Sequence, residues 1–479
     1  MRKGKIVNTQ GPAVEGYENA LKLVQAGMDV ARLNRSHGTV EEHLANYNNL
    51  RKAAQEAGRN LAILVDIQGP KIRCGWFKKN AEGEDKVVLK EGQEFTISND
   101  PEILGDETHT GCTFEGLPQD CHPGDPILID DGKVRLEVTS VEGNEVHTKV
   151  VVAGPVSSHK GINLPGVAVS LPALTEKDEA DLRWGVKVGA DIIAMSFVRS
   201  AKDIERAHEI MDEEGRRVPI VAKIEKPQAV ENLEEIVKTF DGIMVARGDM
   251  AVEMPFEEVP LVTYQCIELC RKYAKPCIVA TEVLGSMVNS PVPSRAEASD
   301  CANAMLGGAD ATMTSNETAM GKYPFDTVKA MARISNYATE KGYNRIPKLD
   351  PAKIDLSNGG ATALSAVELA EKSGAQAIVT FTDNGRAVNQ ISRFRPQAPI
   401  FGFTTDAHNF GWITLSWGTT AVMSEKKASE LSKAELLSFV DETLKAKGAV
   451  KAGDQVVVSL SEAGELLDGE ESVILHTVA

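Results

Sequence analysis

Arg32, Asn34, Ser36, His37, Asp66, Arg73, Lys223, Glu225, Arg247, Asp249, Thr281, Ser315 and Glu317 stand at or just past the ends of short apolar runs. If those runs are strands of one closed barrel, their ends converge and these side chains share a single mouth. Glu225 and Asp249 follow successive runs and offer hard oxygen ligands suited to Mg²⁺ or Mn²⁺, with water and substrate oxygens completing an octahedron. Spacing alone leaves them equally readable as solvated loop acids or ion-pair partners. The basic residues shift the balance, because Arg32, Arg73 and Lys223 gathered at one rim imply an anion. A divalent metal flanked by Arg and Lys is what phosphoryl transfer needs, since the transferring group spreads its charge over three oxygens and requires no covalent help. No Walker A loop, G-x-G-x-x-G or D-F-G is present, so P-loop and protein-kinase designs are excluded.

The elements that must position these groups are eight apolar runs: Lys5 to Asn8, Met28 to Leu33, Leu61 to Asp66, Asp191 to Phe197, Pro219 to Ile224, Gly242 to Val245, Pro276 to Ala280 and Ala311 to Thr314. Four begin with a small or turn residue followed by Asp (Asp29, Asp191, Asp241, Asp310). Helix-period segments separate the runs, the pattern of a TIM (β/α)8 barrel whose strands are buried on both sides. Between the third and fourth runs lies one long interval of short alternating strands and turns such as His122-Pro-Gly-Asp125 and Asp130-Asp-Gly-Lys133. It is expected to be an inserted β-rich, barrel-like lid domain over the mouth. A Pro/Lys/Asp-rich linker and Asn358-Gly359-Gly360 lead to a third, α/β unit, with elements expected at Ala361 to Lys372, Ala377 to Phe381, Ile400 to Thr404, Lys433 to Lys447 and Gln455 to Leu460. The expected boundaries are 1–73 and 170–345 for the barrel, 74–169 for the lid and 352–479 for the carboxyl-terminal domain.

A chain of 479 residues, 42% hydrophobic and 25% charged, can bury a sizeable core. Its net charge of −17 disfavours nucleic acid and anionic membranes as partners, so any phosphate must be captured by a local basic pocket. No apolar leader precedes the first run and no stretch is long enough to span a bilayer, which makes the cytoplasm the expected location. Seven cysteines without a C-x-x-C pair read as reduced thiols, and Cys266 and Cys270 as core packing.

Ordered motifs now add a family. Lys5-Ile6-Val7 with Gly11-Pro12, Ala31-Arg32-Leu33-Asn34 with Ser36-His37-Gly38, Gly69-Pro70 with Ile72-Arg73, Asp130-Asp131-Gly132, Lys160-Gly161 with Asn163-Leu164-Pro165-Gly166, Lys223-Ile224-Glu225 and Met244-Val245-Ala246-Arg247-Gly248-Asp249 resemble pyruvate kinase over essentially the whole length. The resemblance implies transfer of phosphate from phosphoenolpyruvate to ADP, giving pyruvate and ATP, usually in a homotetramer. It implies Glu225 and Asp249 as metal ligands and Lys223 and Arg32 as catalytic and substrate-binding cations. Gly248, Asp249 and Thr281 would hold the substrate carboxylate, and Thr281, Ser315 and Glu317 would relay a proton. Arg32, His37, Arg73 and Lys160 would contact nucleotide, His37 being read so over a capping or packing histidine.

The monovalent-cation region comprises Asn34, Ser36, Asp66, Ile67 and Lys71. Many pyruvate kinases carry Glu where this chain has Lys71, with a bound K⁺ beside the phosphates. A lysine ammonium supplies that positive charge as part of the chain, so activity without K⁺ is expected. Departures from the family pattern include Arg35 for an aromatic, Ala251 for Gly, and Glu282, Val292 and Asn316 for Gln, Arg and Gly. The loop Thr380 to Arg386 replaces a Ser/Thr-rich phosphate cradle and reads as a plain surface turn; acidic Gly469-Glu470-Glu471 argues against activation by fructose bisphosphate. Two other readings stay open on the sequence: a metal-dependent enolate aldolase of the same barrel superfamily, and an inactive pyruvate kinase paralogue.

Overall fold

The computed structural model describes residues 2–80, 83–167, 169–357 and 359–479; Asn358 of the expected linker turn lies outside them. Eight parallel strands close into a barrel in chain order: Lys5–Thr9, Val30–Asn34, Ala62–Ile67, Ile192–Met195, Ile220–Ile224, Gly242–Ala246, Cys277–Ala280 and Ala311–Thr314. Each expected run carries one of them. Their residues are almost all buried, because one side faces the barrel interior and the other the surrounding helices.

The four recurring aspartates have a shared structural job. Asp29, Asp191, Asp241 and Asp310 precede strands two, four, six and eight, and each carboxylate accepts the N–H of a residue at the start of the neighbouring strand: Ile6, Ile63, Ile220 and Cys277 respectively. The backbone N–H of each aspartate returns a bond to the carbonyl of that same residue. These reciprocal pairs satisfy amides at the barrel floor that the ladder leaves unpaired and pin the register of alternate strands.

After the third strand the chain enters a seven-stranded sheet ordered Ile72–Arg73, Gly161–Asn163, Pro126–Ile129, Val134–Glu142, Glu145–Val152, Glu94–Ser98 and His109–Gly111, beside a ribbon of Lys86–Leu89 with Gly154–Ser157. This unit has its own core, including Phe95, Ile97, Ile127 and Leu136. Its outgoing and returning chains pair antiparallel, Ile72 opposite Ile162, forming a two-stranded stem above the barrel mouth.

The carboxyl-terminal unit is a five-stranded sheet ordered Thr419–Met423, Ile400–Thr404, Ala377–Phe381, Gln455–Leu460 and Ser472–Thr477. Two of those strands and the helices Arg386–Ser392 and Ala407–Thr414 were not expected from the sequence. The unit sits on the barrel floor. Arg395 and Asp310, each 3% exposed, pair at 2.7 Å across the junction, and the Trp417 N–H donates to the same carboxylate. Gly411 lies so close beneath Asp191 that an added Cβ would come within 2.2 Å of the carboxyl carbon. Among the described residues no helix is long and apolar enough to cross a membrane.

Candidate active site at the barrel mouth

Lys223, at the end of the fifth strand, is the hub of the mouth. Its buried ammonium lies 2.7 Å from Ser196 Oγ, 3.0 Å from Glu225 Oε1 and 3.4 Å from Asp66 Oδ1. Burial alone would lower the lysine pKa, but Asp66 and Glu225 overcome it and hold the group protonated well above its usual range. Asp66 in turn receives Arg32 Nε at 2.6 Å, and Arg32 Nη1 donates to Thr9 Oγ1 at 2.9 Å. Although burial opposes it, Lys223 and Arg32 keep the Asp66 carboxyl below its ordinary value. The result is a fixed cation–anion lattice from strands one, two, three and five.

Glu225 is 1% exposed, and its Oε2 accepts the Phe197 N–H at 2.7 Å. Its Oε1 makes no well-aligned hydrogen bond despite the nearby ammonium. Burial, and then the neighbouring Asp249, push this carboxyl up, against the pull of Lys223. A buried carboxylate oxygen without a proper donor is costly unless a cation takes it. Asp249, in the helix Arg247–Glu253 that follows the sixth strand, keeps a side chain 34% exposed at the mouth. Two acids, one buried and one open, are a partial oxygen set that fits a hard divalent ion whose other positions go to substrate and water. Among the described residues no group of three or more His, Cys, Asp or Glu gathers in a way that could hold a metal ion.

Lys71 sits on the other side of Asp249, its Nζ 4.0 Å from Oδ1. His37 is partly buried, which lowers its pKa, and Arg73, Arg32, Lys71 and Lys177 lower it further, so it stands neutral within a ring of cations. Asn34 Oδ1 accepts the Ser36 N–H, a tight turn that places His37. Arg73 is tied to the lid stem, donating to the His159 carbonyl at 3.1 Å, and Lys160 is held in the lid by Asp130 at 2.8 Å. Thus Arg32, Lys71 and Arg73 are near enough to His37 to act on its charge, whereas Lys160 is engaged within the lid.

Thr281 has φ +66° and is followed by Glu282 at +51°, a conformation that a β-branched residue adopts only when its surroundings enforce it. Here its hydroxyl donates to the Ala280 carbonyl and accepts the Gly248 N–H, both at 2.7 Å, while its carbonyl receives Arg247 Nη2. An added Cβ at Gly248 would meet Cβ and Oγ1 of Thr281 at 3.4 Å, an ordinary contact, so the loop packs closely here without demanding a glycine. The Gly248 amide is therefore already bonded to Thr281. Glu317 is buried, with one oxygen on the Ser315 N–H at 2.6 Å and the other on the Leu284 N–H at 3.3 Å, so it ties the end of the eighth strand to the loop after the seventh.

The departures resolve locally. Arg35 turns away from the mouth into Asp181 and stacks on Trp184. Ala251 lies inside the helix Arg247–Glu253 with no positive φ, so it crowds nothing by conformation. Glu282 is exposed. Sequence reasoning missed Ser196 and Phe197, and also Glu253, whose Oε1 receives both Asn163 of the lid stem at 2.6 Å and Lys226 at 2.5 Å. The one signal for the first two was their place at the end of the fourth apolar run.

The loop Thr382 to Ala387 in the carboxyl-terminal unit is not a plain turn. Its N–H groups converge on Glu462: Oε1 accepts Asp383 at 2.9 Å and Asn384 at 3.2 Å, while Oε2 accepts the Thr382 hydroxyl at 2.5 Å and Ala387 at 3.5 Å. Gly385, at φ +85°, makes the turn. This is an anion nest filled by the chain's own carboxylate.

Comparison with known proteins agrees in fold and extent. The family model for the pyruvate kinase barrel domain matches residues 1–328, and that for the pyruvate kinase alpha/beta domain matches 360–465. Pyruvate kinase of Corynebacterium glutamicum is 46% identical over 457 residues, spanning 95% of this chain and 94% of the relative. Pyruvate kinase of Mycobacterium tuberculosis is 44% identical over 461 residues, with the same coverage. A crystal structure of a pyruvate kinase from Cryptosporidium parvum superimposes with a TM-score of 0.89 at 31% identity, covering 100% of this chain and 96% of that one. The chain belongs to the pyruvate kinase family.

Proposed function

We propose that the barrel mouth is where this glycolytic pyruvate kinase transfers the phosphoryl group of phosphoenolpyruvate to ADP, with Lys223, Glu225 and Asp249 at its centre. The observation that carries the assignment is the buried Lys223 ammonium held charged beside a Glu225 oxygen that lacks an aligned donor. Glu225 and Asp249 would hold Mg²⁺ or Mn²⁺, which supplies Lewis-acid charge to phosphate and enolate oxygens. Lys223 neutralises charge on the transferring group, and Arg32, fixed by Asp66 and Thr9, presents a second cation without reorganising. Thr281 orients the substrate carboxylate with Gly248 and Asp249 in the first turn of the helix Arg247–Glu253, and its hydroxyl with Ser315 handles the proton that enolpyruvate must gain. Glu317 positions both loops through its two backbone bonds. His37, Arg73 and Lys160 bind nucleotide as the lid closes on its stem.

Lys71 supplies the charge for which K⁺ is otherwise required. A homotetramer is supported by exposed Phe256, in the turn before the barrel helix Val259–Lys272, and by exposed Leu261 and Tyr264 in its first two turns. A cytoplasmic location follows from the substrates, and the domain limits stay at 1–73 with 170–345, 74–169 and 352–479. The test is pyruvate formation from phosphoenolpyruvate, ADP and Mg²⁺. Pyruvate is expected only with ADP present, and Glu225→Ala should lower kcat/KM by about a thousandfold or more, equal to about 4 kcal/mol of transition-state stabilisation. Full activity in Glu225→Ala would remove the assignment.

A further inference from the structure

Glu253 closes the helix Arg247–Glu253 and is 4% exposed. Asp249 stands four residues earlier on the same helix, so the two acids lie on one face and whatever fixes the roll of one fixes that of the other. A carboxylate this deep keeps its charge only with partners. Here a single oxygen, Oε1, takes both of them: Lys226 Nζ at 2.5 Å and Asn163 Nδ2 at 2.6 Å.

The two donors come from different parts of the molecule. Lys226 directly follows Glu225 past the fifth strand, and its ammonium lies 5.6 Å from the centre of the Phe197 ring, the residue whose N–H donates to Glu225. Fixing Lys226 therefore fixes the backbone that carries Glu225. Asn163 ends the returning strand of the lid stem, Gly161–Asn163. That strand runs against Lys71, since a Cβ at Gly161 would come within 2.9 Å of Lys71 Cε, and Lys71 Nζ is 4.0 Å from Asp249. A closed circuit results: Asp249, its helix, Glu253, Asn163, the stem, Lys71 and Asp249 again. A shift of the stem pulls on the helix that carries Asp249.

We propose that Glu253 is a positioning residue for the divalent-metal site: through Lys226 and Asn163 it sets where Glu225 and Asp249 stand and ties their placement to that of the lid stem. The proposal rests on the function proposed above, in which those two acids hold the ion. Glu253 acts through its neighbours and not on the substrate. Without its charge, the Lys226 ammonium becomes an uncompensated cation one residue from Glu225, where it opposes a bound metal.

The test titrates Mn²⁺ into the full, metal-free chain, with the free ion followed by electron paramagnetic resonance, alongside the rate of pyruvate formation at saturating Mg²⁺. Asn163→Asp sets a carboxylate against a carboxylate, and Glu253→Gln strips Lys226 of its counter-charge; each should weaken Mn²⁺ binding by about fivefold or more and lower kcat by about tenfold or more. The two combined exchange donor for acceptor and restore a negative charge beside Lys226, and should bring both quantities back to within about threefold of the unsubstituted enzyme. Asn163→Ala, which only deletes the tie to the stem, should weaken Mn²⁺ binding by about threefold or more, and it decides the matter if Asn163→Asp fails to fold. A residue that served only the fold would lower the unfolding midpoint and leave the Mn²⁺ affinity of the folded chain unmoved. Unchanged Mn²⁺ affinity in Asn163→Ala and Glu253→Gln would overturn the proposal, and so would a paired variant no better than the poorer single one. If the unsubstituted chain binds Mn²⁺ and forms pyruvate beside such results, the positioning role alone falls; if it binds no Mn²⁺, the metal site falls and the role falls with it.

Discussion

Exchanging Lys71 for Glu inverts a charge 4.0 Å from the Asp249 carboxylate and within the ring of cations around His37. Two unit charges at that range interact by about 1 kcal/mol in water and about 4 kcal/mol at an effective dielectric of 20. The two side chains are 24% and 34% exposed, so solvent reaches both. An intermediate value of about 2 kcal/mol is appropriate, and it also scales the attraction of Lys71 for an anionic substrate at this mouth. Lys71→Met should therefore lower kcat/KM by roughly thirtyfold, and Lys71→Glu, which replaces attraction with repulsion, by roughly a thousandfold, or about 4 kcal/mol. The assay is the initial rate of pyruvate formation with Mg²⁺ in tetramethylammonium buffer free of K⁺ and Na⁺, repeated after adding KCl. The unsubstituted enzyme should change by less than about twofold on adding K⁺, whereas Lys71→Glu should recover part of its loss, because a bound cation restores the missing charge. Loss of most turnover by the unsubstituted enzyme in the K⁺-free buffer, or an undiminished Lys71→Glu, would refute the reasoning.

Arg395→Met removes one partner of the buried pair with Asp310 and should destabilise the chain by about 3–5 kcal/mol in urea unfolding, the cost of leaving a buried charge unpaired; a change under about 1 kcal/mol would mean that the junction does not depend on it. Lys5 gives a pH signature: its ammonium releases a proton near pH 8 when folded and near 10.5 when unfolded, so the unfolded chain binds more protons between those values and stability rises with pH across that window. Relative to Lys5→Met, the unsubstituted chain should gain on the order of 3 kcal/mol between pH 8 and 10.5, read from unfolding midpoints at each pH, and a flat difference would contradict the buried charge.

The barrel was legible because strands buried on both sides cannot avoid continuous apolar runs, and all eight appear where such runs stand. The charged lattice at the mouth was legible only as a list. That Arg32 is locked by Asp66, and that Lys223 is shared among Asp66, Glu225 and Ser196, depends on strands that meet across the barrel and leave no spacing rule. The carboxyl-terminal unit was read less fully. Thr419–Met423 alternates too briefly to stand out, and Ser472–Thr477 is a largely unburied edge strand that follows an acidic turn. The helix Ala407–Thr414 is apolar on most sides because it packs between its own sheet and the barrel, so it lacks an amphipathic stripe. The recurrent aspartates were seen as a pattern, but their reciprocal bonds to neighbouring strands were not, since the partner residues lie 21 to 128 positions away.

The Glu462 carboxylate lies 80 residues along the chain from the Thr382 hydroxyl that it accepts. An anion delivered by tether has a local concentration set by geometry, not by metabolism, and no dilution or competitor in solution changes how much of it the chain carries. In the folded unit the nest is occupied by that carboxylate. The loop's amides thus meet an anion whose supply is set by the fold and not by the concentration of any solute.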